Sequence, residues 1–263
     1  IMPTVQFGSA SINYELSGKG PLIVLLHEIG GTLETWSEVT AALAPQFRML
    51  RYDQRGAGKS SRIDGKFSLD TQVDDIGALL DALGERDPCH VAGVAIGAAF
   101  AIRFAARHPQ RVKSLVLACP APGVDAARID YLKVRADAVE REGMASTVVS
   151  SLGNSYPAEE RSDPAVFEAY RERFLANDPK SYAAINRAFA DFDVMPDLPN
   201  IKCPALVLAG MHDRLRPPSF VQGVAAKISG ARYAELPSGH IMPVQAPQAL
   251  AAAMTDFYVA IGR

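Results

Sequence analysis

Several things are scarce in this chain, and each scarcity excludes something. Its 263 residues include three cysteines and one tryptophan. No run of about 18 apolar residues occurs, so no membrane span is expected. Residues 1–20 are polar and glycine-rich, so no signal peptide is expected and the chain is assigned to the cytoplasm. Ile1 ahead of Met2 reads as a vector-derived residue. Cys89, Cys119 and Cys203 are widely spaced, odd in number and in or beside predicted strands. They read as buried free thiols in a reducing compartment. No cluster has metal-ligand spacing, so neither a metal nor a cofactor is expected. Net charge is −2 and no basic patch stands out, which argues against a nucleic-acid partner. The expected partner is a small-molecule substrate, and the chain is expected as a monomer or homodimer.

What remains is an ordinary globular composition, 48% hydrophobic and 21% charged, in a length that suits one large α/β domain with an insertion. Residues 4–7 and 12–16 predict an edge hairpin around Gly8–Ser11. Leu22–Leu26 is an apolar run, the pattern of a strand buried on both faces. Further strands are predicted at 48–52, 90–93, 114–118, 206–208 and 233–236. Helical periodicity separates them; Val73, Ile76, Leu79, Leu80 and Leu83 fall on one face, and Gly84 closes that helix. The alternation breaks over residues 121–196, which read as three or four helices with no good strand. The expected architecture is a mainly parallel eight-stranded sheet with helices on both faces. Residues 1–120 and 197–263 form its core, and 121–196 form a small helical cap over the carboxyl edge of the strands.

One stretch organises the rest. The strand at His90–Gly93 runs almost without a loop into a helix over Ile96–Arg107. Side chains flanking so sharp a corner would collide, and glycines stand at both places, Gly93 and Gly97. The corner residue is Ala95, thrust out at the carboxyl end of the sheet.

This corner resembles the Gly-x-Ser-x-Gly nucleophile elbow of the α/β-hydrolases, with alanine in place of the serine. Three more motifs fit that family in order: His27–Gly31 after the third strand, Gly210-Met211-His212-Asp213, and Ser238-Gly239-His240. Together they cover nearly the whole chain. The resemblance implies that residue 95 is the nucleophile position, His240 the base and Asp213 the acid that orients it. It implies an oxyanion hole made by the backbone N–H groups of Ile29 and Ile96. The Asp53-x-Arg-Gly-x-Gly-x-Ser run ending at Ser60 is similar to that of small capped hydrolases around 3-oxoadipate enol-lactonase. That likeness implies hydrolysis of a small ester, lactone or amide, with a carboxylate-bearing catabolic intermediate as one candidate substrate.

Glu28 and Trp36 and the arginines Arg128, Arg135 and Arg187 are candidate substrate contacts, each with a plainer reading. Glu28 stands where the family commonly has glycine and can simply bond to the Gly30–Gly31 turn. Trp36 can be core, and the arginines can be solvated helix faces. Arg55 reads as an anchor for its own loop; His27, His90 and His108 read as structural. Ala95 leaves three accounts open. It is an engineered Ser→Ala change, or the chain is an oxygenase or lyase using only the His240–Asp213 dyad, or it binds a ligand without turnover.

Overall fold

The structure is a computed structural model that describes residues 3–262; the Ile1–Met2 start lies outside the described residues. Eight strands form one sheet: β1 (Thr4–Phe7), β2 (Ala10–Gly18), β3 (Leu22–Leu26), β4 (Arg48–Tyr52), β5 (Cys89–Val94), β6 (Val112–Ala118), β7 (Ala205–Gly210) and β8 (Arg232–Leu236). Their spatial order is β1-β2-β4-β3-β5-β6-β7-β8. The first two strands are an antiparallel edge, with β1 on β2 and β2 on β4, and all other pairings are parallel. Among the described residues ten α-helices connect and cover the strands: α1 (Ser37–Leu43), α2 (Asp70–Ala82), α3 (Ile96–Arg107), α4 (Ala126–Glu142), α5 (Ala145–Ser155), α6 (Pro164–Leu175), α7 (Pro179–Phe189), α8 (Pro218–Ala225), α9 (Met242–Gln245) and α10 (Pro247–Ala260).

The apolar strands are explained by two cores. In β3, Val24 and Leu26 face one core while Ile23 and Leu25 face the other. Side chains alternate along a strand, so a strand buried on both faces is apolar throughout. Each such side chain contributes about 1.5–3 kcal/mol on burial. Residues of α2, α3 and α8 fill the first core, and residues of α1 and α10 fill the second. Among the described residues no helix is long and apolar enough to cross a membrane.

Four helices, α4 to α7, lie between β6 and β7, in the stretch without strand patterning. They share a third core of Val139, Met144, Leu152, Tyr156, Tyr170, Phe174 and their neighbours, which also takes in Ile241 from the loop after β8. This helical layer is tied down at the loop after β3. The Asn177 side chain donates to the Gly30 carbonyl at 2.8 Å, and Tyr170 O–H donates to the Glu28 carboxylate at 2.8 Å. Gly30 has φ +82°, and a Cβ there would come within 2.6 Å of the Phe174 ring.

The Asp53 loop ties these pieces together. The Asp53 carboxylate accepts bonds from the Leu33 amide at 2.9 Å, the Asn13 side chain at 2.8 Å and the Lys59 amide at 2.8 Å. Arg55 makes a forked ion pair with Asp75 of α2, which anchors its loop. Gln54 N–H donates to His27 Nε2 at 3.0 Å, so His27 is neutral there and its Nδ1–H donates to the Glu28 carbonyl at 2.8 Å.

Candidate active site

The corner after β5 is as tight as its glycines imply. A Cβ on Gly93 would lie 2.4 Å from the Gly97 carbonyl, and a Cβ on Gly97 would lie 2.4 Å from the Leu26 carbonyl oxygen. Ala95 itself has φ 53° and ψ −116°. Alanine rarely adopts such a backbone, and a conformation like this costs about 1–3 kcal/mol. Neighbours hold it in place: the Ala95 amide donates to the Ala118 carbonyl, and the Ala95 carbonyl accepts from the Ala121 amide, both at 3.0 Å. Among the described residues the other non-glycine residue with positive φ is Cys119, at the end of the adjoining β6. Both strained residues thus sit at the carboxyl edge of the sheet.

Two loops bring the dyad together. Asp213 follows β7 and His240 follows β8, and His240 Nδ1 lies 2.7 Å from the Asp213 carboxylate. A carboxylate only accepts, so Nδ1 carries the proton and Nε2 is left as the basic nitrogen. The other Asp213 oxygen accepts from the amides of Leu215 at 2.8 Å and Arg216 at 3.0 Å. Burial works against the Asp213 charge, but His240 and these bonds outweigh it and hold its pKa below the ordinary value. The close turn of these loops needs Gly210, where a Cβ would come within 2.4 Å of the Gly239 carbonyl oxygen.

Folding also gathers a group that the sequence expectation of no metal cluster did not contain. The Cys119 sulfur lies within 4.8 Å of ligand atoms of Asp213 and His240. Burial first, and the Asp213 charge second, keep this thiol protonated, and it donates to the Gly239 carbonyl at 3.6 Å. Here it acts as a neutral neighbour packed behind the dyad.

A cavity of about 110 Å³ opens in front of the elbow. Ala95, His240, Ile29 and Ile96 line it from the sheet side, and Arg135 and Tyr182 from the helical layer. Ile96 is the first residue of α3, so its amide has no partner within the helix, and the helix end favours negative charge. Glu28 and Arg128 also line the cavity. Glu28 is buried; one oxygen accepts from Thr35 and Tyr170, at 3.0 and 2.8 Å, and the other has no partner. Its carboxylate lies over Gly31, where a Cβ would come within 2.4 Å of it.

Two candidates fall elsewhere. Trp36 is fully buried in the core under α1 and α10, because its ring faces the sheet and not the cavity. Arg187 turns away to pair with Asp137 and Glu140, both at 2.6 Å. Arg216, three residues past Asp213, also lines the cavity and was not singled out from the sequence.

A family model described as the alpha/beta hydrolase fold matches residues 21–247. The chain belongs to the α/β-hydrolase family. This α/β-hydrolase is 31% identical over 241 residues to an Azorhizobium caulinodans protein that bears the provisional name carbamate hydrolase RutD, covering 90% of this chain and 91% of that one. It is 25% identical over 249 residues to 3-oxoadipate enol-lactonase 2 of Acinetobacter baylyi, with 94% and 92% covered. The solved enol-lactonase of Burkholderia xenovorans LB400 superposes with a TM-score of 0.92 at 30% identity, covering 98% of this chain and 100% of that chain.

Proposed function

We propose that this α/β-hydrolase is built to hydrolyse a small ester, lactone or amide through a Ser-His-Asp triad, and that Ala95 occupies the nucleophile position. The observation that carries the reading is the shared cavity: Ala95, His240, Ile29 and Ile96 all line it, with His240 bonded to Asp213 behind. The names of the relatives, a lactonase and a carbamate hydrolase, fit acyl transfer to water. The small cavity suits a small substrate, and the arginines on its wall favour one that carries a carboxylate.

With a hydroxyl at position 95 the steps follow from the chemistry. His240 Nε2 takes the hydroxyl proton as the oxygen attacks the carbonyl carbon. The oxyanion accepts from the Ile29 and Ile96 amides. The imidazolium, stabilised by Asp213, returns the proton to the leaving group, and water then releases the acyl group by the same steps in reverse order. As written, with a methyl group at position 95, the chain lacks the attacking oxygen.

The test is Ala95→Ser. The serine protein is expected to gain turnover of activated esters, by a factor of at least about 10³, and to be labelled by a serine-directed phosphonate. A folded Ala95→Ser protein inert to both would sink the reading. Ala95 itself favours a second reading, in which the dyad alone acts as a base in an oxygenase or lyase. That reading requires turnover by the Ala95 protein that is lost on His240→Ala. Ligand affinity without turnover, little changed by Asp213→Asn, would instead mark a binding protein.

A further inference from the structure

Three guanidinium groups line the cavity, those of Arg128, Arg135 and Arg216. Among the described residues none has a carboxylate within ion-pair distance. They are not equivalent. Arg135 donates to Ser151 of α5 and Asn186 of α7, and lies over the rings of Tyr131 and Tyr182 at 5.4 and 5.9 Å. Its guanidinium is occupied in joining helices. Arg216 donates to two backbone carbonyls, those of Leu215 at 2.8 Å and Gly123 at 3.1 Å, and lies 5.4 Å from the centre of the Phe220 ring. Its Nε, like that of Arg135, is buried without a partner, but among the described residues no side chain accepts from its guanidinium. Arg128 has no side-chain hydrogen bond or ion pair among the described residues.

Arg128 and Arg216 are also close enough to disturb each other. Burial first, and the Arg128 charge second, lower the Arg216 pKa, while Asp213 and Asp125 oppose the shift without pairing to it. Two cations facing one small cavity, one of them half-buried with an unpartnered Nε, repel each other unless an anion sits between them. Neither Asp213, which His240 and two amides engage, nor Glu28, which accepts from Thr35 and Tyr170 in the lining of the same cavity, lies within ion-pair distance of either arginine among the described residues.

We infer that Arg216 and Arg128 together form a carboxylate clamp in the cavity, with Arg216 as a specificity-determining residue. This rests on the hydrolase reading for its substrate but not for its binding. A planar carboxylate matches the guanidinium fork and has room in a cavity this small. Arg216 also joins specificity to the dyad. Its own amide holds Asp213, so an anion that orders the guanidinium orders the loop carrying the acid.

The experiment uses the Ala95 protein unaltered. Calorimetry compares monomethyl succinate, which carries a carboxylate, with dimethyl succinate, in which that group is masked. The acid is expected to bind about tenfold tighter or more. Arg216→Gln and Arg128→Gln should each bring the ratio to within about twofold. Arg216→Lys, a charge without the fork, should fall between, and Arg187→Gln should keep the full ratio. Thermal melting identifies any variant that fails to fold, and the Arg128 variants then carry the test. A diester that binds as tightly as the acid, a ratio that persists in both glutamine variants, or tighter binding of inorganic phosphate than of the acid would each overturn the clamp. An inert Ala95→Ser protein would sink the hydrolase reading and leave this binding ratio intact.

Discussion

Tyr170 reaches from α6 to the Glu28 carboxylate at 2.8 Å and is one of two hydroxyls serving the same oxygen. Burial first, and Glu28 second, hold the tyrosine protonated, so it remains a donor. Tyr170→Phe removes that donor and leaves the buried carboxylate with Thr35 alone. It should cost about 1–2 kcal/mol in chemical denaturation, with the helical layer loosened from the loop after β3. The bond expected from the Glu28 side chain to the Gly30–Gly31 turn is not made: the carboxylate accepts from Thr35 and Tyr170 instead, and only the Glu28 backbone carbonyl accepts from Gly31. A sequence shows that glutamate stands beside glycines, but not that a tyrosine 142 positions away will meet it. Arg216 was hidden for a similar reason. It lies in a proline-containing loop with no periodicity, and only the return of the chain through β7 sets it beside Arg128. Trp36 takes the plainer of its two readings, because its ring packs in the core beside α1 and α10.

The strand-to-helix corner is the element that the sequence disclosed most fully, because its requirement is local. Gly93 and Gly97 are needed for clearance within a few residues of each other, and spacing alone reveals that. Gly97→Ala places a methyl group against the rigid Leu26 carbonyl and not against a side chain that can swing away. We expect a loss of about 3 kcal/mol or more, read as a shifted urea midpoint, even though alanine is the better helix former. The stretch between β6 and β7 was also legible as helical, read as three or four helices where four form, since apolar residues recur there at helical spacing. Their contacts were not. Which helix presents Arg135 to its neighbours, and which turns Arg187 outward, depends on packing between helices, and nothing in one helix's own pattern carries that information. Short α9 was missed because four residues hold no period to detect.

At the scale of the whole molecule, the sheet is stabilised by groups far from the cavity, and one of them senses pH. His90 of β5 is fully buried, bonded through Nδ1 to Ser114 at 2.7 Å and packed against Tyr258 and Phe47. Burial, with a smaller push from Lys113, lowers its pKa from 6.5 to about 4. Between those values the unfolded chain takes up a proton that the folded chain refuses. Stability therefore falls as pH drops from about 6.5 towards about 4. Asp213 acts in the same direction at lower pH: its depressed pKa adds stability that is lost as acid protonates it. His90→Gln should flatten the decline over the higher range. The slope of stability against pH is the diagnostic, since the substitution also changes packing.

The elbow has one more consequence. Residue 95 is kept at its unusual backbone angles by a hydrogen bond to the Ala118 carbonyl, another from the Ala121 amide and the clearance of two glycines, none of which involves its side chain. Architecture and reactivity are therefore encoded separately. Alanine and serine codons can differ by a single base, so on the proposed hydrolase reading a silent and a reactive form of this protein stand one point mutation apart, with no refolding between them. On that reading a lineage could lose its chemistry here and regain it without rebuilding anything, because the backbone socket does not depend on the side chain it presents.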